Sequence, residues 1–262
     1  MRNLLKVIKI GGNIIDNPEA SARFLNDFSR LEGPKILVHG GGKVATQVAA
    51  SLQIETQMVE GRRITDKSML DVVTMVYGGL VNKNLVAQLQ ALGTNAIGLT
   101  GADAGIIRSV KRPVGSVDYG YVGDIAEVNA ERIGQLLASG LVPIIAPITY
   151  SAEGLLLNTN ADTMASATAI SLSQVFGTNL VYCFEKKGVL SDPDNVDSVI
   201  NSLNTRSYEA YKSEGVINKG MIPKLDNAFT ALRDGVEKVT ICHAQDLLQA
   251  LAGNAGTVIE ME

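Results

Sequence analysis

Short apolar runs, each closed by glycines and followed by apolar positions three or four residues apart, open the chain. Leu5 to Ile10 is one such strand-like run, ended by Gly11 and Gly12, and Pro18 to Phe28 then carries helical spacing at Ala22, Leu25 and Phe28. Lys35 to His39 repeats the pattern. Gly40, Gly41 and Gly42 follow it, leading into a helix whose apolar stripe is Val44, Val48 and Leu52. Two strand, glycine turn, helix units in succession predict parallel strands joined by crossover helices.

Farther along, Thr56 to Ile64 reads as extended, and Thr65 or Asp66 caps a helix through Leu70, Val73 and Val76, where Gly78 and Gly79 introduce either a break or close packing. The next helix reaches Ala91. Asn95 to Thr100 is a buried strand, Ile106 to Val122 forms extended segments with turns at Pro113 and Gly120, and a helix starts near Asn129. Leu141 to Ile148 reads as one core strand despite Pro143 and Pro147. Asn160 or Asp162 precedes a small-residue helix to Leu172, and Asn179 to Phe184 opens a second lobe. Helices over Thr205 to Ser213 and Met221 to Leu232 follow, then a strand at Glu237 to Cys242, a helix at Ala244 to Leu251 and a short strand at Thr257 to Ile259. The expected division is residues 1–175 and 176–262.

An apolar share of 46% with 26 glycines excludes a disordered tail and leaves enough to bury a large core. A net charge of -4 lacks the broad positive field of a nucleic-acid binder, so no nucleic-acid partner is expected, while a small anion needs only a local cluster. Cys183 and Cys242 lack metal-ligand spacing and read as core thiols. No apolar stretch approaches the roughly 18 to 20 residues that span a bilayer. Those features predict a reduced, cytoplasmic protein with no membrane partner.

Three places carry candidate chemistry. The glycine turns at Gly11-Gly12 and Gly40-Gly41-Gly42 each follow a strand, so their N–H groups can converge on one anion. Gly40-x-Gly42-x-x-Ala45, with Glu60 downstream, also fits a permissive dinucleotide fingerprint and keeps a nicotinamide-dependent dehydrogenase open. It is not a P-loop, because Leu37 and Val44 stand where that motif needs glycine and a hydroxyl. Lys9, at the end of an apolar strand, needs water or an anion for its ammonium. Asn158, Asn160 and Asp162 stand at alternate positions before a helix, more than a cap requires. Lys224 begins another helix, where a cation is disfavoured unless an anion or Asp162 compensates it.

Taken together, KIGG at 9–12, HGGG at 39–42, GRRIT at 61–65, NTNAD at 158–162 and KGMIPK at 219–224 make the chain resemble the amino acid kinase family, in its acetylglutamate kinase branch. The resemblance implies a three-layer αβα sandwich with a mainly parallel open sheet. It places the acylamino acid and the transferring phosphoryl group in the first lobe and ATP in the second. By the same resemblance Lys9 and Lys224 stabilise the phosphoryl group and Asp162 positions both lysines. Arg63 and Asn158 hold the amino-acid substrate, Gly11, Gly12, Gly41 and Gly42 form its phosphate and carboxylate site, and Asn160 supports it. The implied reaction phosphorylates the side-chain carboxylate of an N-acylglutamate in arginine biosynthesis, with Mg²⁺ held mainly through the ATP phosphates and no protein metal site. A carboxylate is already ionised at neutral pH, so no general base is required.

Departures from the family pattern carry expectations of their own. The stretch Phe184-Glu185-Lys186-Lys187-Gly188 is bulkier and more basic than the family's, with Lys186 or Lys187 available to a phosphate. Arg62 beside Arg63 suits an acyl group with a second carboxylate, such as succinyl instead of acetyl. His39 supports the glycine turn and His243 caps or packs near the final helix. Family forms inhibited by arginine add an N-terminal helix that joins dimers into hexamers, and by that comparison a homodimer is expected here. A catalytically silent acylamino-acid sensor stays open beside the dehydrogenase.

Overall fold

The structure, a computed structural model, describes residues 4–59, 61–217 and 221–261. β1 (Leu5–Ile10) turns through Gly11 into α1 (Gly12–Ile15) and α2 (Pro18–Ser29), and β2 (Lys35–His39) turns through two glycines into α3 (Gly42–Ser51). A hairpin of β3 (Met58–Val59) and β4 (Arg62–Arg63) precedes an uninterrupted helical run: α4 (Lys67–Val73), a π-helical stretch (Thr74–Val81) and α5 (Asn82–Ala91). Next come β5 (Ala96–Leu99), β6 (Ile107–Lys111), β7 (Gly123–Val128), α6 (Ala130–Ala138), β8 (Val142–Ile145), β9 (Ile148–Tyr150) and β10 (Leu156–Asn158). α7 (Ala161–Ser173), β11 (Thr178–Phe184), β12 (Ser202–Asn204), α8 (Thr205–Ser213), α9 (Ile222–Arg233), β13 (Lys238–His243), α10 (Leu247–Leu251) and β14 (Thr257–Glu260) complete the order.

One sheet, in the order β12-β14-β13-β11-β1-β2-β8-β5, runs through the molecule. Its pairings are parallel except that of β13 with β14. Such a sheet must be covered on both faces, and alternation along the strands shows how. Leu5, Val7, Ile36 and Val38 join one apolar core, which contains residues of α6, α7, α8 and α9. Ile8, Ile10 and Leu37 join the other, with residues of α2, α3, α4, α5 and α10. The three-layer αβα reading is thus met. A four-stranded sheet, β10-β9-β6-β7, stands apart from the large one.

Two local expectations are corrected, and two that left alternatives are resolved. Leu141 to Ile148 is two strands, because Pro147 has no N–H for a ladder: β8 stays in the large sheet and β9 enters the small one. On α3, Val44 and Val48 pack half-buried against the core beside the fully buried Ala45 and Ala49, but Leu52 is exposed. Of the two readings of Gly78 and Gly79, close packing holds at Gly78 and the break at neither, since both lie inside the π-helical stretch. A Cβ on Gly78 would come within 3.2 Å of Thr100 Cγ2, so this glycine serves close packing. Of the two residues expected before α7, Asn160 is the cap, its side chain accepting from Thr163 N at 3.0 Å. Asp66 caps α4, as expected.

Candidate active site

β1 and β2 are in register with Ile10 beside His39, so the glycine turns that end them lie side by side. Gly11 N donates to Cys183 O at 2.9 Å, tying the first turn to β11. A Cβ on Gly12 would stand 3.6 Å from Gly41 N and 3.7 Å from Gly42 N. Gly41 itself has φ +153°, and a Cβ there would meet Tyr77 Cδ1 at 3.0 Å, so neither backbone nor space admits a side chain. The second turn opens α3, whose first N–H groups have no helical acceptor and favour negative oxygens.

Lys9 alternates onto the same sheet face as Leu5 and Val7, beside Tyr182 of β11. α7 packs on that face and brings Asp162, in its first turn, to the end of β1. Tyr182 Oη donates to the Asp162 carbonyl at 3.3 Å, fixing this turn to the sheet. α9 packs against α7 and presents Lys224 from its own first turn. The result is one carboxylate between two ammonium groups. Lys9 Nζ lies 2.7 Å from Asp162 Oδ1, and Lys224 Nζ donates to Asp162 Oδ2.

Burial pushes the Asp162 carboxyl up, but the charges of Lys9 and Lys224 outweigh it and hold the group down at about 2. The Lys224 ammonium is lowered, first by burial and then by Lys9, with Asp162 opposing both. Around the cleft Lys9, Lys43, Arg63 and Lys224 outnumber Asp162 and Glu185, so a further anion is welcome there.

Three connected cavities surround the triad. The first, about 220 Å³, is lined by Gly41, Gly42, Arg63, Asn158 and Asn160, together with Tyr77 and Arg112. The central cleft, about 600 Å³, is lined by Lys9, Gly11, Gly12, Arg63, Glu185 and Lys224. The third, about 240 Å³, is walled by Phe184, Val189, Leu190, Val216, Ile217 and Met221, and shares Lys224 with the cleft. Arg63 braces the first boundary: its Nη2 donates to Gly42 O and Thr46 Oγ1, both at 2.9 Å, and its Nη1 to Thr56 Oγ1 at 3.2 Å. Asn158 Nδ2 donates to Thr65 Oγ1 at 2.9 Å.

All ten residues singled out from the sequence therefore gather in one region. Glu60, Lys219 and Gly220 lie outside the described residues. Lys187 does not face a phosphate position: it pairs with Asp197 at 2.5 Å on the surface, and Lys186 alone borders the third cavity. His39 supports its turn and His243 accepts from Gln245 N at 3.1 Å, as expected. Cys183 and Cys242 are buried side by side on β11 and β13 with their sulfurs 3.7 Å apart. Tyr77, Arg112, Lys43 and Glu185 line the cavities without having been anticipated. Arg112 clasps Asp124 through Nε at 3.1 Å and Nη2 at 2.5 Å.

Among the described residues no cluster of three His, Cys, Asp or Glu side chains is arranged to hold a metal, and the Asp162 carboxylate is committed to lysines. This donor set fits a divalent cation carried by phosphates, not one caged by the protein. Among the described residues no helix is long and apolar enough to cross a membrane.

Comparison with known proteins adds to this geometry. Residues 5–243 match the amino acid kinase family. The acetylglutamate kinase of Cytophaga hutchinsonii is 57% identical over 251 residues, 95% of each chain. That of Bacteroides thetaiotaomicron is 55% identical over 260 residues, 99% of this chain and 100% of the relative. In fold the chain is like the N-acetylglutamate synthase of Neisseria gonorrhoeae complexed with coenzyme A and N-acetyl-glutamate, with a TM-score of 0.84 at 23% identity; the match covers 100% of this chain and 60% of the synthase. The chain belongs to the amino acid kinase family, and within it groups with the acetylglutamate kinases.

Proposed function

We propose that the chain transfers the γ-phosphoryl group of ATP to the side-chain carboxylate of an N-acylglutamate, with N-acetyl-L-glutamate as the principal acceptor. The observation that carries this reading is the Lys9, Asp162, Lys224 triad in a cleft between a polar and an apolar cavity. A carboxylate oxygen of the acceptor forms the new bond to phosphorus, and the bond from phosphorus to the bridging oxygen breaks with its electron pair leaving on ADP. No proton moves, so the protein's task is to overcome repulsion between two anions.

Lys9 and Lys224 take up charge developing on the equatorial phosphoryl oxygens, and Asp162 keeps the two ammonium groups apart and aimed. The N–H groups of Gly12, Gly41 and Gly42 add fixed dipoles at the same place, while that of Gly11 holds the first turn against Cys183 O. Arg63 pairs with the acceptor's α-carboxylate, Asn158 with its acylamino group, and Asn160 holds the helix start that carries Asp162. The apolar third cavity suits an adenine ring. Mg²⁺ held through the nucleotide's phosphates would neutralise part of their charge.

These roles divide the chain as residues 1–175 for the acceptor and residues 176–262 for the nucleotide. A homodimer through the first lobe is supported by Met75 and Leu80, which are exposed on the π-helical stretch. Native mass measurement tests it. ATP as donor makes the cytoplasm the natural compartment. Arg62 and Arg112 on the lining of the acceptor cavity favour testing N-succinyl-L-glutamate beside the acetyl compound.

A coupled assay of ADP release, run with ATP, Mg²⁺ and a panel of N-acetylglutamate, N-succinylglutamate, glutamate, aspartate and carbamate, decides the matter. ADP release that depends on an N-acylglutamate supports the proposal. Binding without ADP release would make the protein a sensor, and preference for a free amino acid or carbamate would assign another acceptor. Hydride transfer with a nicotinamide nucleotide in its place would restore the dehydrogenase reading.

A further inference from the structure

Beneath the second glycine turn lies a fully buried imidazole that the phosphoryl-transfer chemistry does not touch. His39 Nδ1 is 2.7 Å from the carbonyl oxygen of Gly40, and its Nε2 is 3.1 Å from Asn82 Nδ2. Asn82, itself 1% exposed, also donates from Nδ2 to Ile144 O at 2.8 Å and accepts at Oδ1 from Lys83 Nζ at 3.1 Å. Lys83 reaches Gly98 O at 3.0 Å as well.

These contacts fix every orientation in the chain of groups. A carbonyl on one side and an ammonium on the other leave the Asn82 amide only one way round. Its nitrogen then faces His39 Nε2, which must accept. The ring proton is therefore on Nδ1 and is donated to Gly40 O. Burial lowers the imidazole to about 4, so the ring stays neutral and keeps this tautomer through the physiological range.

In a trans peptide the C=O and N–H point in opposite directions. With Gly40 O drawn down to the buried ring, the N–H of Gly41 is turned away from it, toward the space beside Gly12. Arg63 holds the far end of the same turn through Gly42 O. The helical run supplies the floor: Tyr77 and Val81 are the side chains a Cβ on Gly41 would strike, at 3.0 and 3.3 Å, and Asn82 follows them directly.

Building on the phosphoryl-transfer reading, we infer that His39, held in its Nδ1–H tautomer by Asn82, is a positioning residue that aims the Gly41 amide at the reacting oxygens. It touches neither substrate. Its effect falls on the transition state more than on binding, because charge on those oxygens is greatest as phosphorus changes partners.

The test uses the full-length enzyme, ATP and N-acetylglutamate, and three replacements. His39→Asn keeps an N–H donor where Nδ1 stands, His39→Gln keeps a polar group only toward Nε2, and His39→Leu keeps neither. Expected is a fall in kcat of roughly 10- to 100-fold for His39→Gln and His39→Leu with KM values changed less than about threefold, and substantial recovery in His39→Asn. Urea midpoints are measured on all three. Wild-type kcat in His39→Leu, equal losses in the Asn and Gln variants, or losses that follow the midpoints would overturn the proposal.

A second readout is independent of turnover. Imidazole ¹⁵N shifts of His39 should report a protonated Nδ1 and an accepting Nε2 in the wild type, as the Gly40 carbonyl and the Asn82 amide both require. A wild type protonated at Nε2 would overturn the assignment. If the wild type fails to release ADP with any acceptor, the proposed reaction falls on that control alone; the aim on reacting oxygens falls with it, and the tautomer is still decided by the spectra.

Discussion

Replacing Asp162 with asparagine tests the electrostatics of the site most directly. The carboxylate is 13% exposed and stands between Lys9 and Lys224, which are 10% and 21% exposed. Asparagine preserves size and one acceptor oxygen but leaves two buried ammonium groups facing each other. Removing one partner of a buried ion pair costs about 3 to 5 kcal/mol, and the retained amide puts this case at the lower end, about 3 kcal/mol at pH 7. Part of that cost is linked to pH. The carboxyl lies at 3.8 when free and at about 2 in the folded protein, a difference worth about 2 kcal/mol. Because the folded value is the lower one, the stabilisation is complete above about pH 5 and disappears as the pH falls through 2. Urea unfolding of both proteins across this range should therefore show a gap of about 3 kcal/mol near neutrality that closes by about 2 kcal/mol toward pH 2. A gap under about 1 kcal/mol at pH 7, or one that does not change with pH, would refute the reasoning.

Lys9→Ala and Lys224→Ala should each lower kcat by about 10² to 10³ while leaving the fold intact by circular dichroism, and near-normal turnover in both would remove the lysines from the chemistry. Arg63→Lys keeps the charge but loses the fork that spans Gly42 O, Thr46 and Thr56, so the acceptor KM should rise about tenfold or more with a smaller change in kcat; an unchanged acceptor KM would contradict the assignment. Gly41→Ala forces a side chain onto φ +153° and against Tyr77, and should cost about 1 to 3 kcal/mol in urea as well as most of the activity. A variant of equal stability and turnover would show that the turn relaxes freely.

The parts of the site that were legible in the sequence are those with a local physical signature. A lysine closing an apolar strand, glycines between strand and helix, and alternating short polar residues before a helix are each costly without a partner. Their meeting was not local: Lys9, Asp162 and Lys224 converge because β11 lies beside β1 and α7 packs across both. The resemblance supplied that link. Where a single residue had two possible duties, pattern alone did not separate them, and Asn160 took the cap that Asp162 was also fit to make. Asn82 gave no signal at all, since Asn82-Lys83-Asn84 reads as a solvated stretch while its first member is buried. Arg112 was equally silent, because its orientation follows from Asp124 across the β6–β7 pairing, and Leu141 to Ile148 misled because its apolar character is the same in both strands it supplies.

The π-helical stretch ending at Val81 has a consequence for how this protein can change over time. In an α-helix, residues five apart are turned roughly 140° from each other, whereas the wider π-turn brings them back to nearly the same side. Tyr77 and Asn82 are five apart, and both reach the second glycine turn. Losing one residue here would make a more regular helix and rotate the asparagine away from its histidine. The segment can thus vary freely in its exposed side chains while its length is held fixed by a neighbour it never joins in sequence.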